Sequence, residues 1–144
     1  MTLAVLKPAL YQPEPVPHPP SLHGTHCSAC GHVFFPPQDL GCERCGAAGS
    51  ALQPRRLAGN GTLMSRVTVH LHAKPERSAP FVVGTVHLDD GPVVRALLDV
   101  APEVLPRIGS PMVAVLTPLA PSSGDTTTTL DLRFGPAQRL KVQE

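Results

Sequence analysis

Cys27-Ser28-Ala29-Cys30 and Cys42-Glu43-Arg44-Cys45 are two CxxC knuckles set 11 residues apart, and they use all 4 cysteines of the 144-residue chain. The short turn of a CxxC lets both sulfurs face one point. Two such turns complete a tetrahedron around a soft or borderline divalent ion, most often zinc. Cys27, Cys30, Cys42 and Cys45 are therefore the expected metal ligands. With every position filled by protein there is no place for water or substrate, so the ion is expected to be structural Zn2+ rather than catalytic. Gly31 and Gly46 each directly follow a knuckle cysteine, where the turn calls for positive φ. The same four thiolates also suit redox-active iron, as in a rubredoxin-like electron carrier. Such a carrier needs little beyond the metal loop, whereas about a hundred residues follow this one.

Disulfides are the other use of paired cysteines, and they require an oxidising compartment. Residues 1–10 carry no basic n-region, and Lys7 and Pro8 interrupt their apolar stretch, so no secretory signal is apparent and a cytoplasmic location is expected. In a reducing compartment paired CxxC motifs favour metal. No apolar run approaches the roughly 20 residues that span a bilayer, so no membrane partner is expected. The formal net charge is +1, from 12 Lys and Arg against 11 Asp and Glu, which leaves no electrostatic footprint for a polyanion. Binding single-stranded nucleic acid needs aromatic platforms and a cationic groove. This chain has no Trp, 1 Tyr and 4 Phe, so no nucleic acid is expected, although a nucleic-acid-binding module stands as an alternative class.

With 18 prolines and 12 glycines the chain favours short strands and turns over long helices, and an all-β fold is expected. Three regions separate by composition. Residues 1–23 hold Pro8, Pro13, Pro15, Pro17, Pro19 and Pro20 and read as an extended proline-rich arm. Residues 24–53 form the metal ribbon, and residues 54–144 a β-domain. Within the last, Leu63, Val67, Val69 and Leu71 alternate with Met64, Arg66, Thr68 and His70, with Ser65 as the exception, which predicts a half-buried strand over residues 61–71. Residues 81–88 and 93–100 flank Asp89-Asp90-Gly91, a hairpin signal. Residues 111–117 and 127–134 complete five strands, separated by a polar loop around Ser122, Ser123, Gly124 and Asp125. A closed five-stranded barrel protects the edges of so small a sheet, and the OB-fold is the common architecture of that strand number.

Several runs, in this order, resemble a known family: His26-Cys27-Ser28-Ala29-Cys30-Gly31-His32-Val33-Phe34-Phe35-Pro36-Pro37, Cys42-Glu43-Arg44-Cys45-Gly46, Gly59-Asn60-Gly61-Thr62 and Ala79-Pro80-Phe81-Val82-Val83-Gly84. Val86-His87-Leu88-Asp89-Asp90-Gly91, Ile108-Gly109-Ser110-Pro111-Met112-Val113 and Leu132-Arg133-Phe134-Gly135-Pro136 continue the likeness. Together they are similar to the acyl-CoA-associated zinc-ribbon OB-fold family across residues 23–137. The resemblance implies a rubredoxin-like zinc ribbon followed by an OB-fold. It also implies a non-catalytic accessory subunit of a thiolase-like enzyme complex, whether a thiolase, an acyltransferase or a thiolase-type aldolase. Such a subunit helps hold or pass an acyl-CoA or carrier-bound acyl substrate, with acyl-CoA bound at the partner interface.

The residues themselves agree in offering no reaction centre. If all cysteines bind metal, no thiol remains for acyl transfer, and no nucleophile-elbow or phosphate-loop motif is present. Ser65, His70, His72 and Asp89 are acid, base and nucleophile types, but with 7 histidines scattered along the chain their co-occurrence is the bland expectation. His23, His26 and His32 flank the ribbon, and four cysteines already satisfy the ion, so these rings are expected outside the ligand set. Phe34 and Phe35, between the knuckles, are expected to pack on the barrel or a partner as readily as to stack on bases. Recognition of CoA phosphates calls for Lys or Arg near an apolar channel. Arg66, Lys74, Arg77 and Arg95 are candidates, with ordinary solvated charge as the simpler reading.

Overall fold

Residues 2–71, 79–119 and 127–137 are described by a computed structural model, and among them lie ten strands and one 3-10 turn at Gly49–Ala51. The all-β expectation holds. Strands β1 (Thr2–Val5), β2 (Tyr11–Gln12), β3 (Ser21–Cys27), β4 (Val33–Phe34) and β5 (Leu52–Leu57) precede β6 (Asn60–Val69), β7 (Phe81–Leu88), β8 (Val93–Leu97), β9 (Pro111–Pro118) and β10 (Thr127–Pro136).

Strands β6 to β10 are the five predicted ones, within a few residues at each end. They follow the order β10-β9-β6-β7-β8, every pair antiparallel. A parallel bridge between Leu98 and Phe134 brings β8 round to β10, and the Asp99 N–H donates to the Phe134 carbonyl at 2.8 Å. The sheet thus curls into an OB-like barrel. Its interior is filled by Leu63, Val82, Val86, Leu88, Val94, Leu98, Met112, Ala114 and Phe134, each 5% exposed or less.

One strand is added to the expected five: β1, from the N-terminal arm, pairs in parallel with β10, with Thr2 opposite Thr127 and Val5 opposite Leu130. The first proline is Pro8, so nothing in residues 2–5 prevents strand pairing. One expectation is corrected, in β6. Its register with β7 shifts between Leu63 and Ser65, a β-bulge at the one break in the predicted alternation. An extra residue in a strand of period two exchanges its faces. Leu63 points inward, but beyond the bulge Val67 pairs with Val83 and Val69 with Phe81 on the outer face, and Val67 is 58% exposed.

The ribbon sheet is organised by β3. Antiparallel β2 and β4 share one of its edges, at Ser21–Leu22 and Thr25–His26, and β5 lines the other from Leu22 opposite Leu57 to Cys27 opposite Leu52. The expected limits at residues 23/24 and 53/54 each fall inside one of these strands. Leu22 and Leu57 are fully buried and belong to the same apolar cluster as the barrel interior, against which Val33 and Phe35 also pack. At the junction Gly59 lies so close to the Pro20 carbonyl and to Ala114 Cβ, 2.6 Å from where its own Cβ would be, that no side chain fits.

Candidate metal centre

The two knuckles have the same local hydrogen bonding. In the first, the Gly31 N–H donates to the Cys27 carbonyl at 2.7 Å and the Cys27 N–H to the His32 carbonyl at 2.8 Å. In the second, the Gly46 N–H donates to the Cys42 carbonyl at 2.9 Å and the Cys42 N–H to the Ala47 carbonyl at 2.7 Å. Gly31 and Gly46 both sit at φ 81°, as each turn requires. Each turn directs both of its sulfurs to one side.

All four sulfurs lie within 4.8 Å of one another, with Cys27 Sγ 3.6 Å from Cys45 Sγ and Cys30 Sγ 3.7 Å from Cys42 Sγ. Four thiolates about 2.3 Å from a shared tetrahedral ion would stand about 3.8 Å apart, so the two short pairs match a zinc-sized ion and the other sulfurs lie within an ångström of that spacing. Cys27 and Cys42 are buried beside Phe34, with Ala47 and Leu52 packed round them, while Cys30 and Cys45 face outward. None of the four is in a disulfide.

As thiols Cys30 and Cys42 differ. Backbone N–H donors, that of Cys45 foremost, hold Cys42 down to about 6. The His32 amide favours the Cys30 thiolate, but burial and the three neighbouring sulfurs together outweigh it and push Cys30 up to about 11. A cation shared by all four is what allows them to ionise together.

The other expected residues are dispersed. His23 and His26 lie on β3. His32 Nε2 meets Glu43 Oε1 at 2.8 Å, tying one knuckle to the other from outside the sulfur cluster, and its ring stacks on Phe34 with centroids 5.8 Å apart. Phe34 is buried at the metal centre and Phe35 packs on the barrel core, so neither presents a face for a base. Ser65 is on the outer face of β6. His70 follows the far end of that strand, whereas Asp89 bonds to Asn60 at its start; ten strand residues separate the two by about 33 Å. They form no catalytic group. Arg66 Nε donates to the Pro106 carbonyl at 2.6 Å and braces the 101–110 loop. Arg95 is exposed on β8, and His72, Lys74 and Arg77 lie outside the described residues.

Sequence reasoning missed two features that bear on the site. Gln38 organises the loop between the knuckles: its Oε1 accepts from the Leu40 N–H at 2.7 Å and its Nε2 donates to the Gly41 carbonyl at 2.6 Å. The surrounding Pro-Pro-Gln-Asp run was a turn signal. Tyr11, the single tyrosine, is buried between the N-terminal segment and β10, and no local pattern marks it.

Comparison with known proteins follows this division. Residues 19–50 match the model described as "ChsH2, rubredoxin-like zinc ribbon domain", and residues 54–117 match "ChsH2, C-terminal OB-fold domain". The chain belongs to this zinc-ribbon and OB-fold family. A "DUF35 domain-containing scaffold protein" of Methanocaldococcus jannaschii is 28% identical over 119 residues, covering 81% of this chain and 82% of that protein. A protein of the same description from Methanothermobacter thermautotrophicus is 27% identical over 123 residues, covering 84% and 90%. A solved structure described as "Ltp2-ChsH2(DUF35) aldolase" superimposes with a TM-score of 0.59 at 29% identity, covering 81% of this chain and 84% of that one. Among the described residues no helix is long and apolar enough to cross a membrane.

Proposed function

We propose that this chain is a non-catalytic accessory subunit of a thiolase-like enzyme, with a thiolase-type aldolase as a precedent. In this reading Cys27, Cys30, Cys42 and Cys45 hold a structural Zn2+ that shapes the ribbon. The barrel helps enclose an acyl-CoA or carrier-bound acyl group at the interface, and the chemistry belongs to the partner.

The observation that carries the reading is the likeness, over most of both chains, to a ChsH2(DUF35) component of an aldolase. The chain's own residues support it. The barrel interior is packed with apolar side chains, the four thiols converge on one point, and among the described residues His70 and Asp89 lie at opposite ends of β6. A cytoplasmic location is in keeping with four unpaired cysteines. The nucleic-acid alternative keeps few aromatic platforms, because Tyr11, Phe34 and Phe134 are buried and Phe35 is packed on the core, which leaves only Phe81 on an outer face.

Affinity purification of the tagged chain from its native host, with mass spectrometry of partners and elemental analysis of the same fraction, tests the proposal. Zinc near one per chain together with a thiolase-fold enzyme is expected. Iron with a reductase, or zinc with nucleic acid and no such enzyme, would overturn it.

A further inference from the structure

The outward side of an antiparallel sheet that meets water is normally polar. Beyond the bulge in β6 this barrel breaks that rule. Register places Val67, Val83 and Leu97 in one row across β6, β7 and β8, and Val69 with Phe81 in the next. Leu71, just past the strand, is 91% exposed. Without the bulge Val67, Val69 and Leu71 would share the inward face with Leu63. With it they form a contiguous apolar surface. β8 is the last strand in the order on that side and meets β10 only at the Leu98–Phe134 bridge, so the surface runs to a sheet edge closed at one point.

Charge from these strands on this face has one sign. Arg95 and His87 lie on it with no carboxylate from β6, β7 or β8, whereas Arg66, opposite inward Gly84, belongs to the other side. Arg66 is engaged with the Pro106 carbonyl, whereas Arg95 makes no ion pair among the described residues. Arg95 lies across from Thr85, one row from Val83 and Leu97, and helps line a shallow depression of ≈ 360 Å³ with Ser65, Val67 and Val83. Two copies meeting through this face would set cation against cation with no acid from the same strands to offset it. The complement is a different protein with an apolar centre and an acidic margin.

We infer that the outer face of β6, β7 and β8 is the docking surface for the thiolase-like partner, which covers Val67, Val83 and Leu97 with apolar side chains and sets a carboxylate against Arg95. The inference rests on the accessory-subunit reading and names its interface.

The test re-expresses the thiolase-type enzyme recovered with the tagged chain and titrates it with wild type, V67E, R95E, R95K and V16S. Val16 is 94% exposed in the N-terminal segment and belongs to none of the three strands. Affinity is expected to fall roughly tenfold or more for V67E and R95E, to fall less for R95K, and to be unchanged for V16S. Metal content and melting temperature should match wild type in every variant. Wild-type affinity in folded V67E and R95E would overturn the docking surface while leaving the accessory-subunit reading in place. Absence of any thiolase-type enzyme from the wild-type capture would overturn both. Sedimentation showing a dimer of the chain alone that V67E dissociates would assign the face to a second copy and overturn the proposal.

Discussion

Tyr11 is 3% exposed, and its hydroxyl lies 3.1 Å from Asp131 Oδ1 and 3.4 Å from the Leu130 carbonyl, while the Lys7 N–H donates to it at 3.2 Å. Burial, and after it the Asp131 charge, raise its pKa above the usual 10.0. A group raised on folding contributes stability that is complete below its unfolded value and disappears as pH climbs through the folded one. Denaturant unfolding should therefore show wild type losing stability above pH 10 relative to Tyr11→Phe. At pH 7 that variant should be about 1–2 kcal/mol less stable, since Lys7 and Asp131 lose their partner. Glu14 has the opposite sign. The Ser21 hydroxyl, 2.9 Å away, is the main cause of its lowered pKa, with Gln12 and Arg56 adding to it. Its contribution is present above 4.5 and lost on acidification through the folded value, which amide exchange in β2 and β3 will report. Cys42→Ser should remove the metal, measured by elemental analysis, and loosen residues 27–52 while the barrel's amide spectrum persists.

Strand β3 is an element shared by two structures, because its Cys27 end carries a sulfur of the metal centre and its Leu22 end enters the barrel core. Leu57→Ala, opposite Leu22, should cost about 2–5 kcal/mol and lower the melting of ribbon and barrel signals together in a thermal scan followed by NMR. Gly59→Ala pushes a methyl group against the Pro20 carbonyl, so it should destabilise the junction although both flanking strands could extend through alanine. Here the limits of sequence reading are physical. Alternation marked β6, and turn signals between apolar runs marked β7 to β10. Two-residue β2 and β4 have no period to detect, and β3 follows a proline-rich run that masked it. The β6 bulge shows the same limit in finer form: Ser65 announced an irregularity, but only the pairing with β7 tells which face the later valines take.

At the scale of the molecule, the convergence of the four cysteine sulfurs was legible in their spacing because knuckle geometry is local. The joining of ribbon to barrel was not, since it depends on Leu22, Leu57, Phe35 and Tyr11 meeting partners distant in sequence. Chelation separates the two contributions. Stripping the ion at neutral pH is expected to abolish the ordered ribbon tip and to leave the Leu98–Phe134 seam protected from amide exchange. Acidification should release the ion in the same order, because protonated thiols cannot bind it.

The shared core also decides where this chain can be recombined. A chimaera that takes its first 50 to 53 residues from a relative would splice through the β3–β5 pairing and set one parent's Leu22 against the other parent's Leu57. A crossover just after Gly59 would carry both leucines and the tight approach to Pro20 as one inheritance. Exchangeable parts in this architecture are therefore bounded by a packing contact, and a library built on breakpoints after Gly59 should yield more folded members than one built on the apparent gap between ribbon and barrel.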